Sequence, residues 1–255
     1  MSPESARELG EKQYSSYAVD LSDAEQVAAH RADFDVVLHA ASTRGGGAEA
    51  YRRVYLNGVR NLVEQFPASK LVFVSSTSVY GQTGGEWVNE ESSAEPQTET
   101  GRVLREAEAL VLSKSGTVIR LGGIYGPGRS ALLKKFLAGE AILDLQNDRF
   151  MNEIHRDDAA AAVRLLALRN KDSEQIYNVV DNEPILLSDY YRWLAAKLKR
   201  PLSPSGKSIS VGKRGQSNKR VSNAKLRALG WSPRFPNFGA GMEKSVLPSF
   251  GPDLA

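Results

Sequence analysis

The sequence has 255 residues, of which 41% are hydrophobic and 25% are charged, and its formal net charge is +3. This composition is that of a soluble globular protein with one large or two small domains. No run approaches the roughly 20 apolar residues of a membrane span, which excludes an integral membrane protein. The absence of cysteine excludes a disulfide framework, a thiolate metal site and a cysteine nucleophile. Charges replace the apolar stretch of a signal peptide at the N-terminus, so we expect a cytoplasmic protein.

The charge is distributed unevenly along the chain. Residues 1–189 hold 20 Lys and Arg against 28 Asp and Glu, whereas residues 190–242 hold 12 Lys and Arg and no acid. This asymmetry predicts two regions with different tasks. The basic region has three interpretations, which we rank as a solvated face, a site for an anionic small molecule, and a nucleic-acid surface. The anion-binding candidates are Lys213, Arg214, Lys219, Arg220 and Arg234.

Short apolar runs alternate with helical patterns along most of the chain, which predicts an α/β fold with a mainly parallel sheet. The predicted strands cover residues 17–21, 34–41, 70–76, 117–121 and 175–180. The predicted helices cover residues 23–31, 49–65, 102–112, 132–138, 157–168 and 187–198, with Ser188 as the cap of the last. Residues 201–215 are rich in Ser, Gly and Pro and predict a mobile loop.

The run from Val72 to Gly81, VFVSSTSVYG, is the most specific motif in the sequence. A buried strand that ends in hydroxyl residues places them at the carboxyl edge of the sheet, where α/β proteins bind ligands. A hydroxyl-rich strand end also serves as a local cap, so this motif alone leaves both roles open.

Several further motifs follow one another in a recognisable order. Asp20-Leu21 precedes the strand and turn VVLHAA at residues 36–41, and Asn57 lies in the helical run LNGVRNL. RLGGIYGPG at residues 120–128, IHRDD at 154–158 and YNVVDNEP at 177–184 come later. Together with the hydroxyl run, these motifs resemble the extended short-chain dehydrogenase/reductase superfamily, the NAD-dependent epimerase/dehydratase group, over residues 17–246.

The resemblance implies a Rossmann-like sheet, NAD or NADP as cofactor, and a small-molecule substrate. The cofactor-binding residues that it implies are Asp20, Leu21, His39, Ala40, Ala41, Ser75, Leu121, Gly122 and Ile124. The substrate-binding residues that we predict are Tyr80, Gly123, Arg129, Arg214 and Arg220. We expect no metal, because no histidine has a partner at metal-ligand spacing.

The start of the sequence departs from the family pattern. The family begins with a strand, a Gly-x-Gly-x-x-Gly turn that holds the cofactor pyrophosphate, a helix and a second strand. Only about sixteen residues precede Tyr17, and they contain no such turn. The run from Gly45 to Ala50 fits the glycine pattern but lacks the expected acid further on, so we interpret it as a flexible loop. We therefore expect an N-terminally truncated Rossmann-like domain with weakened cofactor binding.

The catalytic positions also depart from the family pattern. The family uses a Ser or Thr with a Tyr and a Lys four residues apart, and the Lys lowers the pKa of the Tyr. Ser76 matches the hydroxyl position, but Thr100 occupies the Tyr position and Leu104 the Lys position. We predict Ser76 and Thr100 as the catalytic residues, which polarise a substrate oxygen by hydrogen bonding. Arg102 and Arg105 on the same helix are either anion ligands or an ion-paired face.

His155 with Asp157 or Asp158 is either an acid–base pair or a helix start that the dipole favours. We expect residues 1–180 to form the dinucleotide-binding domain and residues 181–255 a smaller, basic, substrate-side region. The predicted function is that of an atypical NAD(P)-dependent epimerase/dehydratase acting on an anionic or sugar-like substrate of nucleotide-sugar type, with homodimerisation open. The alternative is a non-enzymatic nucleotide-sensing or interaction protein on the same fold.

Overall fold

A computed structural model describes residues 15–43, 45–169, 175–202 and 217–254. The predicted substrate ligand Arg214 and most of the predicted loop at residues 201–215 lie outside the described residues. The same holds for residues 1–14, which precede the first described segment.

The central sheet is mainly parallel and contains four strands in the order β1-β2-β4-β8. These strands are β1 (Val36–His39), β2 (Lys70–Ser76), β4 (Thr117–Leu121) and β8 (Gln175–Val179). Strand β1 runs parallel to β2, with Val36 opposite Lys70 and His39 opposite Phe73. The order and direction of these strands confirm the predicted Rossmann-like sheet.

Short two-stranded ribbons accompany the central sheet. Their strands are β3 (Trp87–Val88), β5 (Gly123–Tyr125), β6 (Phe150–Met151), β7 (Glu153–His155), β9 (Ile185–Leu186) and β10 (Arg220–Val221). Strands β10 and β3 pair in parallel, as do β5 and β7, whereas β6 and β9 are antiparallel. None of these six short strands was predicted, because two or three residues are too few to show a periodic pattern.

The predicted strand at residues 17–21 is wrong. Residues 15–20 have no regular structure, and Leu21 and Ser22 form a turn. The Asp20 carboxylate accepts hydrogen bonds from the backbone N–H and the hydroxyl of Ser22, at 2.9 and 2.7 Å. The Asp20 carbonyl accepts from the N–H of Asp23 at 3.0 Å. Aspartate commonly closes a turn in this way, and here the turn competes with strand pairing.

The first seven helices correspond to the six predicted ones to within about three residues at each end, and the predicted helix at residues 49–65 is divided in two by a π-helical segment. The helices are α1 (Ala24–Ala28), α2 (Ala48–Tyr51), α3 (Gly58–Gln65), α4 (Glu99–Leu112), α5 (Ala131–Leu137), α6 (Arg156–Leu168), α7 (Leu187–Leu198), α8 (Ala224–Arg227) and α9 (Phe238–Gly241). A π-helical segment, Arg52–Asn57, joins α2 to α3, and Met242–Val246 follows α9 in the same form. A π-helical turn often marks a functional site.

Ser188 does not cap α7, contrary to the prediction. The capping position belongs to Leu186, which makes no side-chain bond there. Instead the Asp148 carboxylate accepts from the N–H of Ser188 at 3.2 Å, so the helix start is satisfied from 40 residues away. Helix α8 is followed by Gly230, which has a φ of 88° and donates to the Arg227 carbonyl, a conformation typical of glycine after a helix end.

The chain divides into two compact units. The first comprises Met1–Val74, Glu99–Val118 and Asn170–Gln175, and the second comprises Ser75–Thr98, Ile119–Arg169 and Ile176–Ala255. The fully buried residues of the first unit include Val59, Val72, Phe73, Val103, Ala107 and Val111. A cluster in the second unit includes Tyr125, Leu133, Tyr190, Leu194, Phe238, Met242 and Val246. The domain boundary at residues 180 and 181 stays a prediction.

In the part of the chain that the structure describes, no helix has both the length and the apolar character required to cross a membrane.

Gly241 provides a test of the packing in the second unit. A Cβ atom at this position would lie 2.0 Å from the Tyr125 hydroxyl oxygen, and Tyr125 is itself 2% exposed. We expect Gly241→Ala to lower the free energy of unfolding by about 3 kcal/mol, because the buried ring cannot move without displacing its neighbours. Urea unfolding followed by circular dichroism measures this change. Gly47→Ala is the matched control, since a Cβ there meets nothing within 4 Å.

Candidate functional site

A cleft in the first unit, which we call the Asp20 cleft, is built from the turn after residue 17, the end of β1 and the π-helical segment. It encloses about 1640 Å³ of empty space, including the part open to solvent. Its lining residues are Tyr17, Ala18, Val19, Asp20, Leu21, Gln26, Ala41, Ser42, Thr43, Ala50, Arg53 and Val54. Apolar side chains with a few polar groups are typical of a site for a ring-bearing ligand.

The Asp20 carboxylate is held by its neighbours in this cleft. Arg53 donates to it at 2.8 Å, in addition to the two bonds from Ser22. The hydrogen bonds from Ser22, and then the Arg53 guanidinium, lower the pKa of Asp20 below its ordinary value. The carboxylate is therefore ionised at neutral pH and can accept a hydrogen bond from a ligand amino group.

Three other predicted cofactor residues lie at the end of β1. Ala40 and Ala41 are exposed, and Ala41 lines the Asp20 cleft. His39 is 1% exposed, and its Nε2 lies 2.9 Å from the Val54 carbonyl oxygen. Burial lowers the pKa of His39, so its ring is neutral and Nε2 donates to that carbonyl. His39 therefore fixes the π-helical segment beside the cleft.

The hydroxyl run after β2 lies in the second unit. Ser76 ends the strand and begins a single 3₁₀ turn, Thr77–Val79, in which the Ser76 hydroxyl accepts from the Ser78 N–H at 3.1 Å. The predicted capping role is therefore confirmed, and the ligand-binding role stays a prediction for a residue that lines a pocket. Ser75, one residue earlier, is 6% exposed.

That pocket, the Ser76 pocket, encloses about 540 Å³ of empty space, including its open side. It is lined by Ser76, Thr77, Ser78, Gly122, Gly123, Arg149, Phe150, Met151, Asn152, Ser217 and Lys219. The structure thus brings the predicted residues Ser76, Gly122 and Gly123 together. Arg149 and Lys219 add two cationic side chains, and hydroxyl and amide groups supply donors and acceptors.

The two glycines allow the walls of the pocket to approach each other closely. A Cβ at Gly122 would lie 2.5 Å from the Asn152 carbonyl oxygen, and one at Gly123 would lie 2.6 Å from the Glu153 carboxylate. Gly123 also donates its N–H to the Asn152 carbonyl at 2.7 Å. Leu121 is 7% exposed, and Ile124 pairs with Ile154 in the β5–β7 ribbon, so neither lines the pocket.

Asn152 attaches Lys219 to the pocket. Its side-chain nitrogen donates to the Lys219 carbonyl at 3.0 Å, and its side-chain oxygen accepts from the Val221 N–H at 2.7 Å. The neighbouring residue Asn218 accepts the N–H of Phe150 through its side-chain oxygen at 3.0 Å. The backbone from Lys219 to Val221 is consequently bonded to Asn152, and the side chain of Asn218 is bonded to Phe150.

Tyr80 and Arg220, which we predicted as substrate ligands, make contacts with the protein itself. Tyr80 is fully buried, donates its hydroxyl proton to the Asn178 side chain at 3.0 Å and lies under the Arg120 guanidinium. Arg220 donates to the Gly85 carbonyl at 2.7 Å and lies over the rings of Trp87 and Phe150. Neither residue lines the Ser76 pocket, so these placements favour structural roles.

Arg129 and Thr100 lie elsewhere. Arg129 is exposed and forms a β-bridge with Gly126. Thr100 is the second residue of α4 in the first unit, and Leu104 on the same helix is 3% exposed. The neighbouring Arg105 forms an ion pair with the buried Glu108, which supports the ion-paired interpretation of this helix.

His155 caps the start of α6. Its Nδ1 accepts from the Asp157 N–H at 3.2 Å, and its Nε2 lies 3.0 Å from the Ser245 hydroxyl. Burial lowers the pKa of His155. Asp158 accepts the N–H groups of Arg234 and Phe235 at 2.8 and 3.0 Å. These bonds support the helix-start interpretation over an acid–base pair.

A second cleft of the second unit, the Trp193 cleft, has a different chemistry. Its lining residues are Phe150, Glu183, Pro184, Ile185, Leu186, Asp189, Trp193, Asn237, Phe238 and Gly239. Two carboxylates and three aromatic rings are present, and no cationic side chain occurs among these described lining residues. Phe150 belongs to both this cleft and the Ser76 pocket.

Comparison with known proteins identifies the family. The model of the NAD dependent epimerase/dehydratase family matches residues 2–180, and the chain therefore belongs to this family. No curated protein sequence matches the chain.

Solved structures agree with this assignment. A Methylobacillus flagellatus protein assigned to the NAD-dependent epimerases/dehydratases is 27% identical, with a TM-score of 0.73 over 96% of this chain and 93% of that one. MoeE5, solved with UDP-glucose and NAD, is 20% identical, with a TM-score of 0.78 over 94% and 86%. UDP-glucose 4-epimerase of Thermus thermophilus, solved with NAD, is 22% identical, with a TM-score of 0.75 over 92% and 84%. At these lower identities, the last two structures show that the chain has the same fold as they do.

Arg149 and Asn152 were missed by the sequence prediction. Both lie in or directly after a segment, ending near residue 150, that shows no strong helical or strand pattern. The signal that could have found them is the run NDRFMNEIH, in which polar residues flank an apolar pair immediately before the IHRDD motif. Ser217 was missed because it follows the low-pattern region at residues 203–216.

Asp181 tests the electrostatics of the turn that follows β8. Its carboxylate is 2% exposed, and one oxygen accepts from the Glu183 N–H at 3.1 Å. Burial, reinforced by Glu153, raises the pKa of Asp181 to about 8. Because the pKa of Asp181 is higher in the folded protein than in the unfolded chain, its contribution to stability is fully present at a pH below the ordinary carboxyl pKa near 4. This contribution is lost as the pH rises toward 8.

We therefore expect the wild type to lose stability between about pH 5 and about pH 8, whereas the Asp181→Asn variant does not. The difference in unfolding free energy between variant and wild type should thus increase by roughly 3 kcal/mol from the lower pH to the higher one. Urea unfolding of both proteins at the two pH values measures this difference. Asp189→Asn is the control, because Asp189 is exposed. A gain of the same size in the control, or no gain in Asp181→Asn, contradicts the assignment.

Proposed function

We propose that the protein is an NAD(P)-dependent enzyme that acts on a hydroxyl-bearing small molecule in the Ser76 pocket. The observation that carries the proposal is that the hydroxyls after β2 and the glycines after β4 line one cavity. The family resemblance relates these same two segments to catalysis and to the nicotinamide side of the site. Family membership supports this assignment.

The Asp20 cleft fits the adenosine part of such a cofactor. Val19, Leu21 and Val54 provide apolar surfaces for a purine ring, and the ionised Asp20 provides an acceptor for its amino group. Arg53 lies in the same cleft as a cation. The bound dinucleotide would supply the hydride acceptor or donor of the reaction.

The chain's own residues would bind and polarise the substrate. The Ser76 hydroxyl can donate to a substrate carbonyl oxygen, since its accepted bond from Ser78 leaves its proton available. Thr100 and Leu104 stand at the family's Tyr and Lys positions, and neither ionises at neutral pH. The substrate oxygen would therefore be polarised by hydrogen-bond donors such as the Ser76 hydroxyl rather than by an ionisable tyrosine.

We further propose a substrate of nucleotide-sugar type, as in the MoeE5 structures with UDP-glucose and UDP-glucuronic acid. A cytoplasmic location and a homodimer complete the proposal. A non-enzymatic nucleotide-sensing protein is the alternative, and it predicts cofactor binding with no turnover.

Cofactor binding is tested by titrating NAD and NADP into the protein by calorimetry. We expect saturable binding of at least one of them, and Ala41→Trp should weaken it by at least roughly tenfold because the indole occupies the Asp20 cleft. Ala131→Trp, at an exposed position on α5, is the control and should bind normally. Binding that is unchanged in Ala41→Trp removes the cleft from the proposal.

Catalysis is tested with UDP-glucose and UDP-glucuronic acid in the presence of the cofactor, following reduced nicotinamide by absorbance and sugar products by NMR. We expect Ser76→Ala to lower turnover roughly 100-fold while cofactor affinity stays unchanged. Ser113→Ala is the control, because it removes a hydroxyl that makes one local hydrogen bond, to the Leu110 carbonyl, and that does not line the Ser76 pocket. Turnover that survives in Ser76→Ala overturns the catalytic assignment.

A further inference from the structure

We propose that His39 is a positioning residue for the cofactor, because its ring holds the π-helical segment in the form that presents Arg53 and Val54 to the Asp20 cleft. This inference rests on the proposed function, since it takes the Asp20 cleft as the site of the cofactor adenosine. His39 does not occur among the described residues that line the cleft, so it acts on the cofactor through Val54 rather than by contact.

The π-helical segment supplies part of the wall of the Asp20 cleft. Arg53 and Val54 both line the cleft, and the N–H of Gly58 closes a π-helical turn by donating to the Arg53 carbonyl. A π-helical turn is closed by an i→i+5 bond instead of the i→i+4 bond of an α-helix. A change to the α-helical form would therefore shift the pairing by one residue and alter which side chains face the cleft.

The bond from His39 joins this segment to strand β1. The Val54 carbonyl oxygen lies 2.9 Å from His39 Nε2, and a carbonyl can only accept, so Nε2 must carry a proton. The other ring nitrogen, Nδ1, is buried with no hydrogen-bond partner in the described part of the chain. A second proton on Nδ1 would therefore be an unsatisfied buried donor. The ring that holds the segment is thus the neutral tautomer with its proton on Nε2.

Packing behind the cleft leaves the His39 ring little room to move. The ring stacks on Tyr55 with centroids 6.1 Å apart, and its centroid lies 5.3 Å from that of Phe73 in an edge-on contact. A Cβ at Gly58 would lie 3.0 Å from Nε2 of His39 and 3.3 Å from the Cβ of Leu21. The ring and the turn at Leu21 therefore meet at Gly58, and a displaced ring would move the segment relative to that turn.

The ion pair between Arg53 and Asp20 depends on the form of the segment. Arg53 donates to the Asp20 carboxylate at 2.8 Å, which joins the segment to the turn. The turn has a support of its own, because the Asn61 carboxamide donates to the Leu21 carbonyl at 2.8 Å. Loss of the bond from His39 would therefore move Arg53 while the turn stays fixed. The carboxylate assigned to the adenine amino group would then lose one of its partners.

Calorimetric titration of NAD and NADP into the full chain tests the effect on binding. We expect His39→Leu, which removes the donor, to weaken binding by at least roughly tenfold, about the effect of one hydrogen bond to a buried carbonyl. His39→Gln should restore the affinity to within roughly threefold of the wild type, because its carboxamide nitrogen is a neutral donor. Val72→Ala is the matched control and should bind normally. It truncates a fully buried side chain in the neighbouring strand β2 and leaves the bond in place.

Two measurements without cofactor test whether His39 holds the segment. Long-range proton–nitrogen NMR of the wild type at neutral pH should show His39 protonated on Nε2, and the loss of its signals in His39→Gln identifies them. Hydrogen exchange followed by mass spectrometry should be at least roughly tenfold faster in the π-helical segment of His39→Leu, relative to helix α4. His39→Gln and Val72→Ala should show no such local increase.

A proton on Nδ1 overturns the inference, as does unchanged exchange of the π-helical segment in folded His39→Leu. A His39→Gln variant that binds as weakly as His39→Leu also overturns it. Circular dichroism checks each fold, and His39→Met replaces His39→Leu if the latter unfolds. The two proposals fail separately. Cofactor binding that His39→Leu leaves unchanged rejects only this inference. Absence of cofactor binding by the wild type rejects the proposed function, while the tautomer and the exchange still decide whether His39 holds the segment.

Discussion

The carboxamide of Asn152 joins parts of the chain that are far apart in sequence, and the Ser76 pocket depends on it. The amide group bonds to the backbone at Lys219 and Val221 as a neighbouring strand would, while the Asn152 carbonyl accepts from Gly123. One residue thereby satisfies buried backbone groups of two segments that would otherwise need separate partners. Each of these bonds joins segments that are far apart in the sequence and therefore closes a long loop of the chain.

Apolar content explains why much of the fold could be predicted. The strands at Lys70–Ser76 and Thr117–Leu121 match their predicted bounds, because each is a compact apolar run buried in the sheet. The start of the described chain could not be predicted in this way. There the pattern of Tyr17 to Leu21 resembles a strand, but the side chain of Asp20 forms a turn with Ser22. The cap of α7 comes from Asp148, a partner that no local pattern could indicate.

The site was predictable only where a local motif carries it. Ser76, Gly122 and Gly123 belong to runs with a distinctive order, and the structure brings them into one pocket. A charged or aromatic residue is a weaker guide, since its role depends on long-range neighbours. Arg220 was predicted to contact substrate but bonds to Gly85, whereas its neighbour Lys219 lines the pocket. Lys219 immediately precedes the short strand β10 and Arg220 begins it, and nothing in the sequence tells which of two neighbouring side chains lines a pocket.

Phe150 connects the shapes of two cavities. Its ring lines both the Ser76 pocket and the Trp193 cleft, and the Arg220 guanidinium lies over the same ring. A substitution of this one residue therefore changes the walls of both cavities at once, so at this position neither cavity can be reshaped without the other.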